Sequence, residues 1–328
     1  MKAMKSNTKK QLRRFIVDTD TGSDDVWAII EALRATDIVT VEAVTVVFGN
    51  LPLDLCVKNA MLAVDAAGTY TPPVYRGMER PLLNPEGFYA PDVHGEDGLG
   101  GMALPPSPRP VESKHAVDAI ISLIMTNPGQ IEIVTCGPLT NLAVALQREP
   151  QIAKNIKKVW VLGGSANGTG NMTPNSEFNI YADPEAADIV LNAGMDATWV
   201  TWDSAVGETE ITPDEVTQLL NSGDQAAIFC ARCTHALREY YQKTFGRNTY
   251  AVIDSLVMTA ALYPEIMLGP FPAECSIELS QGDMRGFFRI DPARKPNITV
   301  CPAVHVELFK KHLFALFEGG SRVQEMIQ

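Results

Sequence analysis

Short apolar runs alternate with stretches of helical spacing from Phe15 to Thr201, and few architectures accommodate that order. Phe15-Ile16-Val17 ends abruptly in polar residues, as a strand buried on both faces does. Beyond Gly22, apolar residues recur at Val26, Ile29, Ile30 and Leu33, which is helical spacing, with Ser23 as its expected cap. Val41–Val47 reads as a strand and Leu53–Ala67 as a helix. Ile131–Thr135 is a strand, and Pro138 is expected to open a helix through Leu146. Val159–Leu162, a helix capped by Asp183 and opened by Pro184, and a strand from Ala197 to Thr201 continue the series. Strands joined by helices of this length predict an α/β fold with an open, mostly parallel sheet flanked by helices. From Thr212 the pattern becomes predominantly helical, through Tyr241 and again from Tyr250 to Tyr263. The segment Gly77–Pro110, rich in Pro and Gly, is long for a loop and is expected to be functional, such as a lid. The reading is a basic, disordered tail over residues 1–13 and one catalytic domain over 14–328.

The 328 residues carry 27 Lys and Arg against 39 Asp and Glu, a net charge of −12 that disfavours a nucleic-acid partner. No apolar stretch is long enough to span a membrane, and the basic N-terminus has no apolar core behind it. A cytoplasmic protein without a membrane partner is expected. The six cysteines are scattered as reduced, mostly buried residues, not as a disulfide framework. Cys230, Cys233 and His235 lie close in sequence, but no second ligand pair accompanies them, so they read as structural.

The chemistry concentrates in Asp18-Thr-Asp20-Thr-Gly22-Ser-Asp24-Asp25, directly after the first strand, where ligands of open α/β sheets bind. Four carboxylates in eight residues repel one another. A helix N-terminus offsets part of that repulsion, and a bound divalent cation would offset the rest. An EF-hand starting at Asp18 fails, because its twelfth position is Ile29. A magnesium-dependent phosphohydrolase with Asp18 as nucleophile and Thr135 as a phosphate-binding hydroxyl is a second reading, although it leaves Asp24 and Asp25 without a task.

The same segment resembles the N-terminal signature of the inosine–uridine-preferring nucleoside hydrolases, with Thr21 where that family usually has proline. Val46-Val-Phe-Gly49-Asn50, His94-Gly-Glu-Asp-Gly98-Leu-Gly100, Cys136-Gly-Pro-Leu-Thr-Asn141 and Glu177-Phe-Asn179-Ile-Tyr-Ala-Asp183-Pro184 are similar to further family motifs, in the same order. The resemblance implies hydrolysis of the N-glycosidic bond of ribonucleosides to free base and ribose. It implies calcium held by Asp20, Asp25, Asp254 and the main-chain carbonyl of Cys136. All-oxygen ligation of that kind suits a hard cation. It assigns the ribose to Asp24, Asn50, Asn171, Glu177, Asn179 and Asp254.

Asp20 is then the general base toward the attacking water. Many family members place histidine, others tryptophan, immediately before the late calcium aspartate; Ile253 stands there in this chain. His94 is accordingly the remaining candidate acid toward the departing base. Among aromatic residues, Trp27 and Trp202 are candidates to line the pocket, and Trp160 and Trp199 are expected in the core. Phe88, Tyr89, Tyr240, Tyr241 and Phe245 fall in regions that, by resemblance, close over the base. A role in purine or pyrimidine salvage and a homo-oligomer, dimer or tetramer, are also expected. A nucleoside-binding protein without turnover is the non-enzymatic alternative, motivated by Ile253.

Overall fold

Strand β1 (Arg13–Thr19) divides the molecule into two apolar layers. Successive strand side chains point to opposite faces, so Phe15 and Val17 join one apolar cluster and Ile16 another. The structure, a computed structural model, describes residues 11–84 and 86–317. After β1 come helix α1 (Asp25–Arg34), β2 (Val39–Val46), α2 (Leu53–Ala66), β3 (Val74–Arg76), α3 (Pro91–His94) and α4 (Ala116–Thr126). Then follow β4 (Ile131–Thr135), α5 (Thr140–Arg148), α6 (Ile152–Asn155), β5 (Lys158–Leu162), α7 (Phe178–Ala182), α8 (Pro184–Leu191) and β6 (Ala197–Val200). Helices α9 (Pro213–Asn221), α10 (Gln225–Cys233), α11 (His235–Phe245) and α12 (Ile253–Leu262) form the helical run. Strands β7 (Met267–Leu268), β8 (Phe271–Ile277), β9 (Phe288–Asp291), β10 (Ile298–Cys301) and β11 (Ala303–Val304) precede α13 (Val306–Ala315).

Among the described residues the central sheet has the order β3-β2-β1-β4-β5-β6-β10-β8-β9. From β3 to β10 every neighbouring pair is parallel; β8 is antiparallel to both its neighbours. Cys56 of α2 and Leu256 of α12 join the first apolar cluster, and Val117 of α4, Leu142 of α5 and Ala187 of α8 the second, giving helices on both faces. Connections leave β1 toward β2 on one side, while β4 lies on its other side. That reversal opens a crevice at the carboxyl ends of β1 and β4.

The mostly parallel sheet matches the sequence reading, with several local differences. Nothing in the spacing after Tyr263 pointed to β8, β9 and β10, which extend the sheet from far along the chain. Helix α5 starts at Thr140, two residues after Pro138, because the Gly137 turn first passes against the Asp20 side chain. Asp24, not Ser23, is the N-cap of α1. Arg13, expected in the tail, already pairs with Val39 in β1 and ion-pairs with Glu132. Residues 1–10 of the expected tail and 318–328 of the expected domain lie outside the described residues. No helix among the described residues is long and apolar enough to cross a membrane.

Candidate active site

The acidic segment turns from β1 into α1, and its carboxylates are all buried. Asp25, the first residue of α1, sits where the helix dipole favours an anion. Its Oδ1 accepts from Thr19 Oγ1 at 2.6 Å, and its Oδ2 from Gly22 N at 2.9 Å and Asn50 Nδ2 at 3.0 Å. Asp20 Oδ2 accepts from Asn50 N at 2.8 Å. Its carboxylate is wedged between two glycines: a Cβ on Gly49 would lie 2.0 Å from Oδ2, and one on Gly137 2.7 Å from Oδ1. Asp18 points elsewhere, its Oδ1 accepting from Thr45 Oγ1 at 2.5 Å and Asn141 Nδ2 at 2.8 Å.

Asp254 enters from the first turn of α12, beside Asp25. One oxygen of each of these acids and Cys136 Sγ all lie within 4.8 Å of one another. Burial first, then repulsion from Asp25 and Asp24, pushes Asp20 well above the usual carboxylate range. Burial and Asp24, Asp25 and Asp20 do the same to Asp254, and burial and Asp24 lift Asp25 to about 7. Asp20 Oδ1 and Asp24 Oδ1 are buried without a hydrogen-bond partner. Unpartnered buried oxygens of this kind call for a cation, and the oxygen donors suit a hard divalent one. Burial and the neighbouring acids push the Cys136 thiol up, which keeps it neutral and a poor ligand. Its carbonyl, which accepts from Asn179 Nδ2 at 2.9 Å, retains a second lone pair.

Above these acids opens a cavity of about 520 Å³ lined on its polar side by Asp24, Asn50, Cys136, Asn171, Glu177, Asn179 and Asp254. Tyr89, Trp202, Tyr240, Tyr241, Phe245 and Ile253 form the apolar side. A lining that combines polar side chains with aromatic rings suits a ligand with a hydroxylated part and a flat part. Phe88 is not in this wall; it packs on Tyr181, with ring centroids 5.0 Å apart. Trp27 is a core residue, its Nε1 donating to Cys230 O at 3.2 Å. Trp160 and Trp199 are buried as expected. Cys230 and Cys233 are buried free thiols.

Glu177 is also a helix cap. Oε1 accepts from Asn179 N at 2.8 Å, and Oε2 from Ile180 N and Gly164 N at 3.1 Å each. Capping therefore accounts for two of its three hydrogen bonds, beside the ribose role expected from the sequence. Burial nevertheless lifts its carboxyl to about 7. Asn171 Oδ1 similarly accepts from Phe178 N at 2.8 Å. His94, carried in by the long Gly77–Pro110 segment, lines the cavity as α3 ends. Ser23 N donates to its Nδ1 at 3.2 Å, and Ser23 Oγ lies 2.9 Å from the same atom. The ring proton is thereby held on Nε2. Burial lowers the imidazole's pKa further, against a raising effect of Asp24 3.7 Å away. With Nδ1 occupied by Ser23, Nε2 is the His94 atom left to donate a hydrogen bond to a ligand in the cavity.

Several positioning groups had gone unnoticed. Thr19, Thr45 and Asn141 orient Asp25 and Asp18, and Asn50 serves two acids at once. Asn141 stood in a motif but carried no visible charge to mark its task. Thr135, the proposed phosphate hydroxyl, is buried in β4 and donates to Trp160 O at 3.3 Å.

Residues 15–311 match the family described as inosine-uridine preferring nucleoside hydrolase. The chain is 35% identical over 263 residues to the probable uridine nucleosidase 1 of Oryza sativa subsp. japonica, covering 80% of each chain. A solved structure titled plant nucleoside hydrolase, PpNRh1 enzyme, superposes with a TM-score of 0.88 at 29% identity, covering 94% of this chain and 100% of that one. The purine-preferring ribonucleoside hydrolase from Gardnerella vaginalis gives 0.87 at 28% identity, covering 95% and 100%.

Proposed function

The chain belongs to the inosine–uridine-preferring nucleoside hydrolase family and hydrolyses ribonucleosides to free base and ribose; we propose that it does so over a calcium ion, with Asp20 as general base. The observation that carries this reading is the set of buried, mutually repelling acids Asp20, Asp24, Asp25 and Asp254, two oxygens of which lack a hydrogen-bond partner, at a cavity lined by further polar side chains. Asp20, Asp25, Asp254 and the Cys136 carbonyl are the proposed ligands. Calcium supplies there the charge that acidifies water and orients the sugar hydroxyls.

Asp20, clamped between Gly49 and Gly137 and held by Asn50 N, removes the proton of the attacking water. Asp24, Glu177 and Asn179 hold the ribose hydroxyls, and the lone pair left on Glu177 Oε1 and the Asn179 carbonyl oxygen are free to accept from them. These contacts favour the charge that develops on the sugar ring as the glycosidic bond lengthens. One displacement by water inverts the anomeric carbon. The aromatic rim stacks on the base. His94 assists its departure by a hydrogen bond from Nε2, and the proton that completes the free base comes from solvent.

A phosphohydrolase reading is disfavoured by Asp18, which is fully buried and does not line the cavity, its Oδ1 held by Thr45 and Asn141. The proposal extends to one catalytic domain, a cytoplasmic role in nucleoside salvage and a homo-oligomeric assembly. Ribose release from uridine and inosine, with calcium and after chelation, tests the central reading. Undiminished release after chelation would sink it. Phosphate release from p-nitrophenyl phosphate instead would favour the phosphohydrolase.

A further inference from the structure

Helices α1 and α12 both begin at the site and run on together through the core, and most of their residues are buried all round. Such helices are set in register by what lies between them, not by an exposed polar face. Here the contact includes a carboxyl group: Glu31 of α1 is fully buried, as are its two partners on α12. Glu31 Oε1 pairs with Ser255 Oγ, and Glu31 Oε2 with Thr259 Oγ1 at 2.7 Å. Ser255 and Thr259 are one helical turn apart, so one carboxyl group grips two rungs of the same face of α12. Ser255 directly follows Asp254, and Glu31 is on the helix that Asp25 opens.

Such a group is a costly choice for holding two helices together, since an apolar side chain of similar size would fill the space without desolvating a carboxyl. Burial lifts Glu31 to about 8, so near neutrality it is a carboxylic acid rather than an anion. What the polar clamp adds over an apolar filling is a directional contact, which fixes how far α12 slides and rotates against α1. That register carries Asp25 and Asp254, in the first turns of the two helices, one oxygen of each lying within 4.8 Å of the other at the site.

We propose that Glu31, Ser255 and Thr259 form a positioning clamp that sets the spacing of the Asp25 and Asp254 carboxyl groups and thereby the affinity of the site for its divalent cation. This rests on the calcium reading above. Groups hydrogen-bonded directly to metal ligands change affinity about 10- to 100-fold when removed, and a clamp acting through helix register is expected at the lower end of that range.

The test is calorimetric titration of calcium chloride into chelator-treated, dialysed protein, for the unsubstituted chain, Glu31→Gln, Glu31→Leu and the pair Ser255→Ala/Thr259→Val. Glu31→Leu and the hydroxyl pair should each weaken calcium binding at least about 10-fold. Glu31→Gln, which keeps a planar group able to accept and donate, should stay within about threefold. At saturating calcium, kcat should return toward the unsubstituted value, so the loss appears in the calcium requirement. If Glu31→Leu does not fold, the hydroxyl pair supplies the same reading with smaller changes in volume. Calcium affinity unchanged in Glu31→Leu or in the hydroxyl pair, with only the melting temperature moved, overturns the clamp and leaves the calcium reading standing. Absence of calcium binding in the unsubstituted protein overturns both.

Discussion

Gly49→Ala isolates the placement of the proposed base from its chemistry. The added Cβ would lie 2.0 Å from Asp20 Oδ2 and 2.7 Å from its Cβ and Cγ, against about 3.4 Å for an ordinary contact. Asp20 must therefore shift by more than an ångström. It has little room on the far side, where Gly137 approaches Oδ1, and the shift sacrifices the 2.8 Å bond from Asn50 N. Gly49 does not have the positive φ that would itself penalise alanine, so backbone strain is not the cause of any effect. A misplacement of about 1 Å in a reacting group costs about 100-fold in rate, which is about 2.7 kcal/mol of activation free energy. Steady-state ribose release should show kcat down about 100-fold. At saturating calcium KM should move only a few-fold, because Asp24, Glu177 and Asn179 are untouched. The calcium requirement should rise, since Asp20 is also a proposed ligand. Asp20→Asn alone should cost about 1000-fold, and combining it with Gly49→Ala should add almost nothing, since both act on one carboxylate. A kcat within threefold of the unsubstituted enzyme, in a variant with unchanged circular dichroism, refutes the reasoning. Full additivity of the two substitutions would also refute it.

Three further outcomes follow from the same geometry. Asp254→Ala should abolish calcium binding, giving a flat calorimetric titration; a normal isotherm removes Asp254 from the ligand set. A 2′-deoxyribonucleoside should fall by about 10⁴-fold in kcat/KM, the discrimination expected where buried polar groups are left unpaired. Equal rates would contradict the hydroxyl-reading roles of Asp24, Glu177 and Asn179. Burial raises Asp18 and Glu177 to about 7 and Glu31 to about 8, against about 4 in an unfolded chain. Between those values the folded state binds more protons than the unfolded one, so stability falls as pH rises. The chelated protein should thus lose melting temperature steadily from about pH 5 to pH 8.5, and a rising melting temperature over that interval would show that these acids are ionised in the fold.

The layered α/β architecture and the location of the site were legible in the chain, because both depend on local regularities. Short apolar runs, helical spacing, the Asp183-Pro184 start and the helical run from Thr212 are properties of neighbouring residues, and they appear as read. The acid cluster after the first strand was legible for the same reason: charges so close in sequence stay close in any fold. The strands after Tyr263 were not, because a strand that adds to an existing sheet needs little signal of its own.

Which partner each group meets was decided by the tertiary structure. Glu177 divides its oxygens among three backbone N–H groups, one of them from Gly164 on a different loop. His94 has its Nδ1 engaged by Ser23, 71 positions away in sequence, and Glu31 reaches hydroxyls more than 200 positions downstream. Sequence spacing reports the direction of a side chain relative to its own helix or strand. Ionisation and hydrogen bonding respond to whatever the rest of the chain brings within a few ångströms, and only packing the layers together settles that.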